Sequence, residues 1–128
     1  MGLDEELRAP GEAPPLVRIL ASGAETGRAF SLVEYILPPY SAGVALHSHG
    51  DYLEGCYMLE GLLALTCGDE TLMLAPGEVQ LISPGAGHTC WNPTPVPARL
   101  LLIFAPGCGE EDLRRLALAG LGDAPGAG

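Results

Sequence analysis

The sequence predicts an all-β domain of the sandwich or barrel kind. Short apolar runs of strand length recur along the chain, and turn residues separate them at close intervals. Glycine and proline, 18 and 12 of the 128 residues, are spread throughout. That distribution suits a turn-rich β protein better than a helical bundle. The length fits one domain able to bury a core without a disulfide or a structural metal.

The elements follow in order. Residues 1–15 are acidic and proline-rich without periodicity, which reads as a flexible N-terminal arm. Strand-length runs occupy 16–21 and 29–37, the second closed by Pro38-Pro39, then 43–49, 52–59 and 62–67. Gly68-Asp69 makes a turn and 70–74 returns; Pro76-Gly77 makes another before 79–82. Runs at 87–91 and 99–104 complete about nine strands. One segment reads as a helix: Glu110, Glu111 and Asp112 lead into Leu113, Leu116 and Leu118, and acids favour a helix N-terminus. Its apolar face is expected to pack on the outside of the barrel. The domain is thus expected over 16–121, with a frayed tail over 122–128.

Charge excludes several functions. The formal net charge is −10, and all six basic side chains are arginine. No basic patch exists for nucleic acid or an anionic membrane. The lack of lysine excludes Schiff-base chemistry and a lysine general base. No apolar stretch has the length of a membrane span, and Met1 to Pro10 lacks the apolar core of a secretory signal. The expected compartment is the cytoplasm. Cys56, Cys67, Cys90 and Cys108 form no C-x-x-C pair and are expected as free thiols there.

The three histidines all fall in two short patterns. His47 and His49 form H-S-H, with Glu54 five residues beyond His49; His88 closes S-P-G-A-G-H, with Asn92 four residues on. Residues two apart on a strand share a face, so His47 and His49 can reach one ion. Gly50-Asp51 can bend the chain and return Glu54 beside them, and the turn at 84–87 lets His88 approach from a third strand. Three imidazoles and a carboxylate leave up to two of six coordination positions open. Such a site suits Fe(II), Mn(II), Ni(II), Co(II) or Zn(II), and affinity order alone does not choose among them.

These runs resemble a known family. G-V-A-L-H-S-H-G-D-Y-L-E-G-C-Y-M-L-E-G, residues 43–61, resembles the first cupin motif, and G-E-V-Q-L-I-S-P-G-A-G-H-T-C-W-N, residues 77–92, resembles the second. Two departures stand out: Ser83 replaces a usual proline, and Gly43 lies nearer the histidines than usual. The resemblance implies a double-stranded β-helix, or jelly-roll barrel, holding one divalent transition metal on His47, His49, Glu54 and His88. It also implies a homodimer formed by sheet extension. Asp51 rivals Glu54 as a ligand; the glutamate-to-glycine spacing of the motif favours Glu54, with Asp51 serving the turn.

Parity places Cys56 and Met58 on the face of Glu54, and Cys90 and Asn92 on that of His88. They are candidate substrate-pocket residues. Core filler is the competing reading for Cys56, Met58 and Cys90, and Asn92 is suited to tying down backbone near the strand end. Tyr35, Tyr40 and Tyr52 are candidates for the pocket mouth, whereas Tyr57 and Trp91 have outward parity. Arg18, Arg28 and Arg99 either neutralise an anionic substrate or are solvated strand residues. Cys108 precedes the expected helix, where a thiolate is favoured.

An interior of Leu, Val, Met and Cys favours a small, mostly apolar organic ligand. The resemblance is nearest to quercetinase-like single-domain cupins. It implies a dioxygenase-like enzyme whose metal polarises an enol or phenol oxygen, with Glu54 as the catalytic proton acceptor. A metal- and ligand-binding or sensing barrel without catalysis, a cupin isomerase or decarboxylase, and a barrel stiffened by its metal are the other readings.

Overall fold

The computed structural model describes residues 15–47 and 52–107, with backbone alone for 44–47. His49, Asp51, Cys108, nearly all of the arm, the tail and the helix expected over 110–118 lie outside the described residues.

Nine strands form: β1 (Leu16–Ala21), β2 (Ser31–Leu37), β3 (Val44–His47), β4 (Leu53–Glu60), β5 (Leu63–Cys67), β6 (Glu70–Leu74), β7 (Val79–Ile82), β8 (His88–Trp91) and β9 (Ala98–Ala105). They make two antiparallel sheets, ordered β1-β2-β9-β4-β7 and β3-β8-β5-β6. Both β6 and β7 begin and end where the sequence places them. By contrast β2 starts two residues late, because local bonds claim the chain before it. Ser22 and Glu25 exchange backbone-to-side-chain bonds at 2.9 and 3.1 Å, and the Phe30 amide donates to Thr26 Oγ1 at 3.2 Å. Such side-chain acceptors compete with a sheet ladder for backbone donors. Among the described residues no helix is long and apolar enough to cross a membrane.

The sheets enclose one core, because alternation drives every second side chain of the long strands inward. Along β9, Ala98, Leu100, Leu102 and Phe104 are buried, as are Val33, Tyr35 and Leu37 of β2. Register stacks them in rows: Tyr35 beside Leu100 beside Met58, Val33 beside Leu102 beside Cys56, and Ser31 beside Phe104 beside Glu54. Leu63, Leu65 and Leu74 close the cluster from the other sheet. Each large apolar side chain fully buried there contributes about 1.5–3 kcal/mol, so the core outweighs the surface ion pairs.

The outer face of the larger sheet takes its charge through Glu34. Its carboxylate lies 3.2 Å from Arg18 and 2.8 Å from Arg99, and Arg99 reaches Glu60 at 3.3 Å. Arg18 and Arg99 are thus strand residues paired with Glu34, and Arg28 is exposed.

Candidate metal centre

Glu54 sits near the start of β4, between Phe104 of β9 and Ile82 of β7. The 54–58 alternation that buries Cys56 and Met58 carries its carboxylate to the same inner face, where only 7 % of the residue is exposed. His88 opens β8 in the opposite sheet and is 3 % exposed. The two meet across the interior, with Glu54 Oε1 3.2 Å from His88 Nε2.

A tight bend delivers the histidine. Ser83, Pro84, Gly85 and Ala86 make a turn closed by Ala86 N–H donating to the Ser83 carbonyl at 3.1 Å. Pro84 presets φ at the second position and Gly85 takes φ 87° at the third, as a type II turn requires. Ser83 supplies only its carbonyl, a part that proline is not needed to play, so this departure from the motif leaves the turn intact. Gly43 is constrained too: it has φ 69°, and a Cβ there would lie 1.9 Å from the Cys90 carbonyl oxygen. This close approach brings β3 against β8, whose register sets the His47 Cα opposite that of His88.

His88 Nδ1 lies 3.0 Å from the Ala86 carbonyl oxygen. A carbonyl only accepts, so Nδ1 carries a proton, which leaves Nε2 facing Glu54 as the nitrogen able to take either a second proton or a cation. That is the orientation a metal-bound imidazole takes when a carbonyl holds its other nitrogen. Burial disfavours a charged ring, but the Glu54 carboxylate and the Ala86 carbonyl outweigh it, raising the proton affinity of His88 above the ordinary histidine value. A buried carboxylate oxygen and an imidazole nitrogen converging at this distance suit a divalent cation. Among the described residues no three His, Cys, Asp or Glu side chains gather closely enough to hold a metal alone; Glu54 and His88 supply two donors.

Among the described residues, the surroundings are mostly apolar. Cys56 Sγ lies 4.0 Å from Glu54 Oε2. Burial, then Glu54 and Cys90, push the Cys56 thiol well up, and burial with Glu54 pushes Cys90 up to about 12. Both are neutral thiols at pH 7, not activated nucleophiles. Met58 is fully buried and Cys90 packs against the core. Asn92 is spent on backbone: its amide donates to Val96 O at 2.7 Å, Pro38 O at 3.0 Å and Leu37 O at 3.3 Å. Its Oδ1 accepts from the Thr94 amide and hydroxyl, both at 2.9 Å. With every polar atom engaged this way, Asn92 locks the ends of β2 and β8 to the loop before β9.

The tyrosines divide. Tyr40 is exposed; Tyr52 is buried edge-to-face on Phe104, with ring centroids 5.2 Å apart. Tyr35 stands not at a mouth but wholly inside, 1 % exposed. Sequence parity misses it because Leu32 and Ile36 make β2 apolar on both faces; outward Glu34 was the usable clue. The Ala86 carbonyl was illegible too, since a backbone acceptor has no residue-type signature.

Fold and site together define a jelly-roll barrel with a carboxylate–imidazole centre between its sheets. The family model described as "Cupin domain" matches residues 33–104, more than half the chain, and the protein belongs to that family. Among solved structures it is similar to the TT1209 protein from Thermus thermophilus, with TM-score 0.66 and 26% identity over 80% of this chain and 92% of that one. A predicted oxalate decarboxylase from Thermotoga maritima matches with TM-score 0.64 and 23% identity over 72% and 80% of the two chains. The cupin domain of an XRE family transcriptional regulator from Enterobacter cloacae gives 0.62 and 19% over 73% and 97%. The last two likenesses establish fold alone. No curated protein matches the chain.

Proposed function

We propose that this cupin is a metal-dependent, dioxygenase-like enzyme acting on a small, mostly apolar organic molecule of the enol or phenol type. The observation that carries the reading is the 3.2 Å approach of Glu54 to His88 inside a mostly apolar interior. A carboxylate so placed needs a cation or a proton nearby. His47, His49, Glu54 and His88 would hold a single divalent ion of the Fe, Mn, Ni, Co or Zn class. When bound, that ion supplies Lewis acidity to a substrate oxygen and a site for oxygen chemistry.

The chain's own groups do the rest. Glu54 accepts the proton that an enol or phenol O–H gives up on binding. The Ala86 carbonyl holds the His88 ring, so Nε2 stays aimed at the centre. Val33, Leu102, Cys56 and Met58 form an apolar wall that excludes water and strengthens every electrostatic contact inside. With both thiols neutral, covalent catalysis by Cys56 or Cys90 has no support.

The test is metal uptake followed by turnover. The protein is expected to take up Fe(II), Mn(II) or Ni(II) one-to-one, and one loaded form to consume oxygen with a flavonol, diketone or amino-thiol. Tight ligand binding without turnover across the panel would favour the sensing reading. Absence of stoichiometric metal uptake would remove both.

A further inference from the structure

Two buried hydroxyls, those of Ser31 and Tyr35, have no hydrogen-bond partner among the described residues, and the proposed chemistry uses neither. Tyr35 lies midway along β2, its ring flanked in register by Val17 of β1 and Leu100 of β9, with Met58 next in the row. Leu100 and Met58 are fully buried and Val17 partly so, which pins the ring between strands. The phenol runs inward far enough for Cys90, Glu54 and Cys56 to be the charged or ionisable groups acting on it, Cys90 from the opposite sheet. Among the described residues, its oxygen has no hydrogen-bond partner.

An unmet buried hydroxyl is costly and uncommon, and phenylalanine would keep the ring without that cost. The hydroxyl therefore needs an account from outside the packing. Burial, reinforced by Cys90, Glu54 and Cys56, keeps the phenol protonated, so it presents a donor. The neighbouring thiols are themselves neutral, and Glu54 is already engaged with His88.

We propose that Tyr35 is a ligand-positioning residue: its hydroxyl donates a hydrogen bond to an oxygen of the small molecule seated at the Glu54–His88 centre. The inference rests on the metal-dependent reading above and narrows its substrate class. The ligand carries a second oxygen acceptor, of the enolate, phenolate or carbonyl kind, beside the one at the metal. A donor fixed by its ring packing needs no reorganisation to meet that oxygen, and it discriminates against ligands that lack one.

The experiment compares wild type with Tyr35→Phe, both loaded with Co(II), titrated with 4-nitrocatechol as an oxygen-rich probe and with imidazole as a probe without oxygen. Binding is followed in the visible spectrum and stability by thermal melting. Expected are a roughly five- to tenfold weaker affinity of the variant for 4-nitrocatechol, an imidazole affinity unchanged within about twofold, and a metal-free Tm equal to or above wild type. A variant Tm several degrees lower with unchanged 4-nitrocatechol affinity overturns the proposal, because the hydroxyl is then structural. Equal weakening for both probes overturns it as well. Wild type that binds Co(II) but not 4-nitrocatechol rejects the ligand class and leaves the metal centre standing; wild type that takes up no Co(II) removes the metal-dependent reading and this inference with it.

Discussion

Two glutamates on the larger sheet are buried to the same degree, each 7 % exposed, yet live in opposite circumstances. Glu34 faces outward between Arg18 and Arg99, at 3.2 and 2.8 Å. Its partners are permanently charged, and Arg99 is held still more firmly protonated by Glu34 and Glu60. Glu54 faces inward against an imidazole at 3.2 Å and a thiol at 4.0 Å. Among the described residues, these two partners are a thiol and an imidazole, neither of them permanently charged. Equal burial therefore marks two different things: a completed surface network at Glu34, and at Glu54 a carboxylate whose compensation depends on protons or cations in solution.

The strongest challenge to this contrast is Glu54→Ala. It is expected to weaken Co(II) binding more than about 100-fold in calorimetric titration, since it removes a ligand and not merely a supporting group, whose loss alone costs 10–100-fold. Glu34→Ala should leave that affinity within about twofold. Equal effects of the two variants would erase the distinction.

Next in size is Asn92→Ala. It removes one bond from each of three backbone carbonyls and takes the acceptor from the Thr94 amide. Denaturant unfolding should show a loss of about 1–3 kcal/mol, because several bonds go at once although Pro38 O keeps the Ser41 amide and Val96 O the Thr94 hydroxyl. This neutral clamp is expected to matter more to stability than either glutamate. Glu34→Gln should lower Tm by less than the Asn92 variant, by an amount that shrinks in about 1 M salt, because the arginine partners are partly solvated.

The smallest effect separates the pairs by pH. His88 has its folded proton affinity raised, so in the metal-free protein its pairing with Glu54 stabilises fully below the unfolded histidine pKa of about 6.5 and fades as pH rises through the folded value. Metal-free Tm should fall slightly across that window, and His88→Gln should flatten the profile. Co(II) affinity should run the other way, weakening as pH falls, because protons compete for Nε2. The Glu34 network should be flat throughout, its arginines remaining charged.

Much of this was legible in the chain, for identifiable reasons. Period-two alternation anchored on Glu54 and His88 put Cys56, Met58 and Cys90 inside, because one polar marker per strand fixed the phase. Turn chemistry placed a bend at 84–87, one residue beyond the 83–86 turn that forms, since proline followed by glycine restricts the backbone to few options. On β2 the same logic left Tyr35 undecided, as apolar residues fill both faces and the one polar marker, Glu34, was not used to set the phase. The Glu34 network was also out of reach: the pairing that sets Arg18 and Arg99 beside Glu34 joins segments 16 and 65 residues apart. That His88 can approach the histidine pair from a third strand was readable, but the pairing of β3 with β8, which sets the His47 Cα opposite that of His88, was not.

The bond from the His88 ring to the Ala86 carbonyl has a consequence for how such a centre can be tuned. The acceptor belongs to the same short bend that sets where the strand begins, so bend and ring are mechanically one part. Altering Pro84 or Gly85 would shift the oxygen that grips Nδ1, and through it the electron density offered at the far nitrogen. Residues that never touch a bound molecule thereby hold a dial on the centre's basicity.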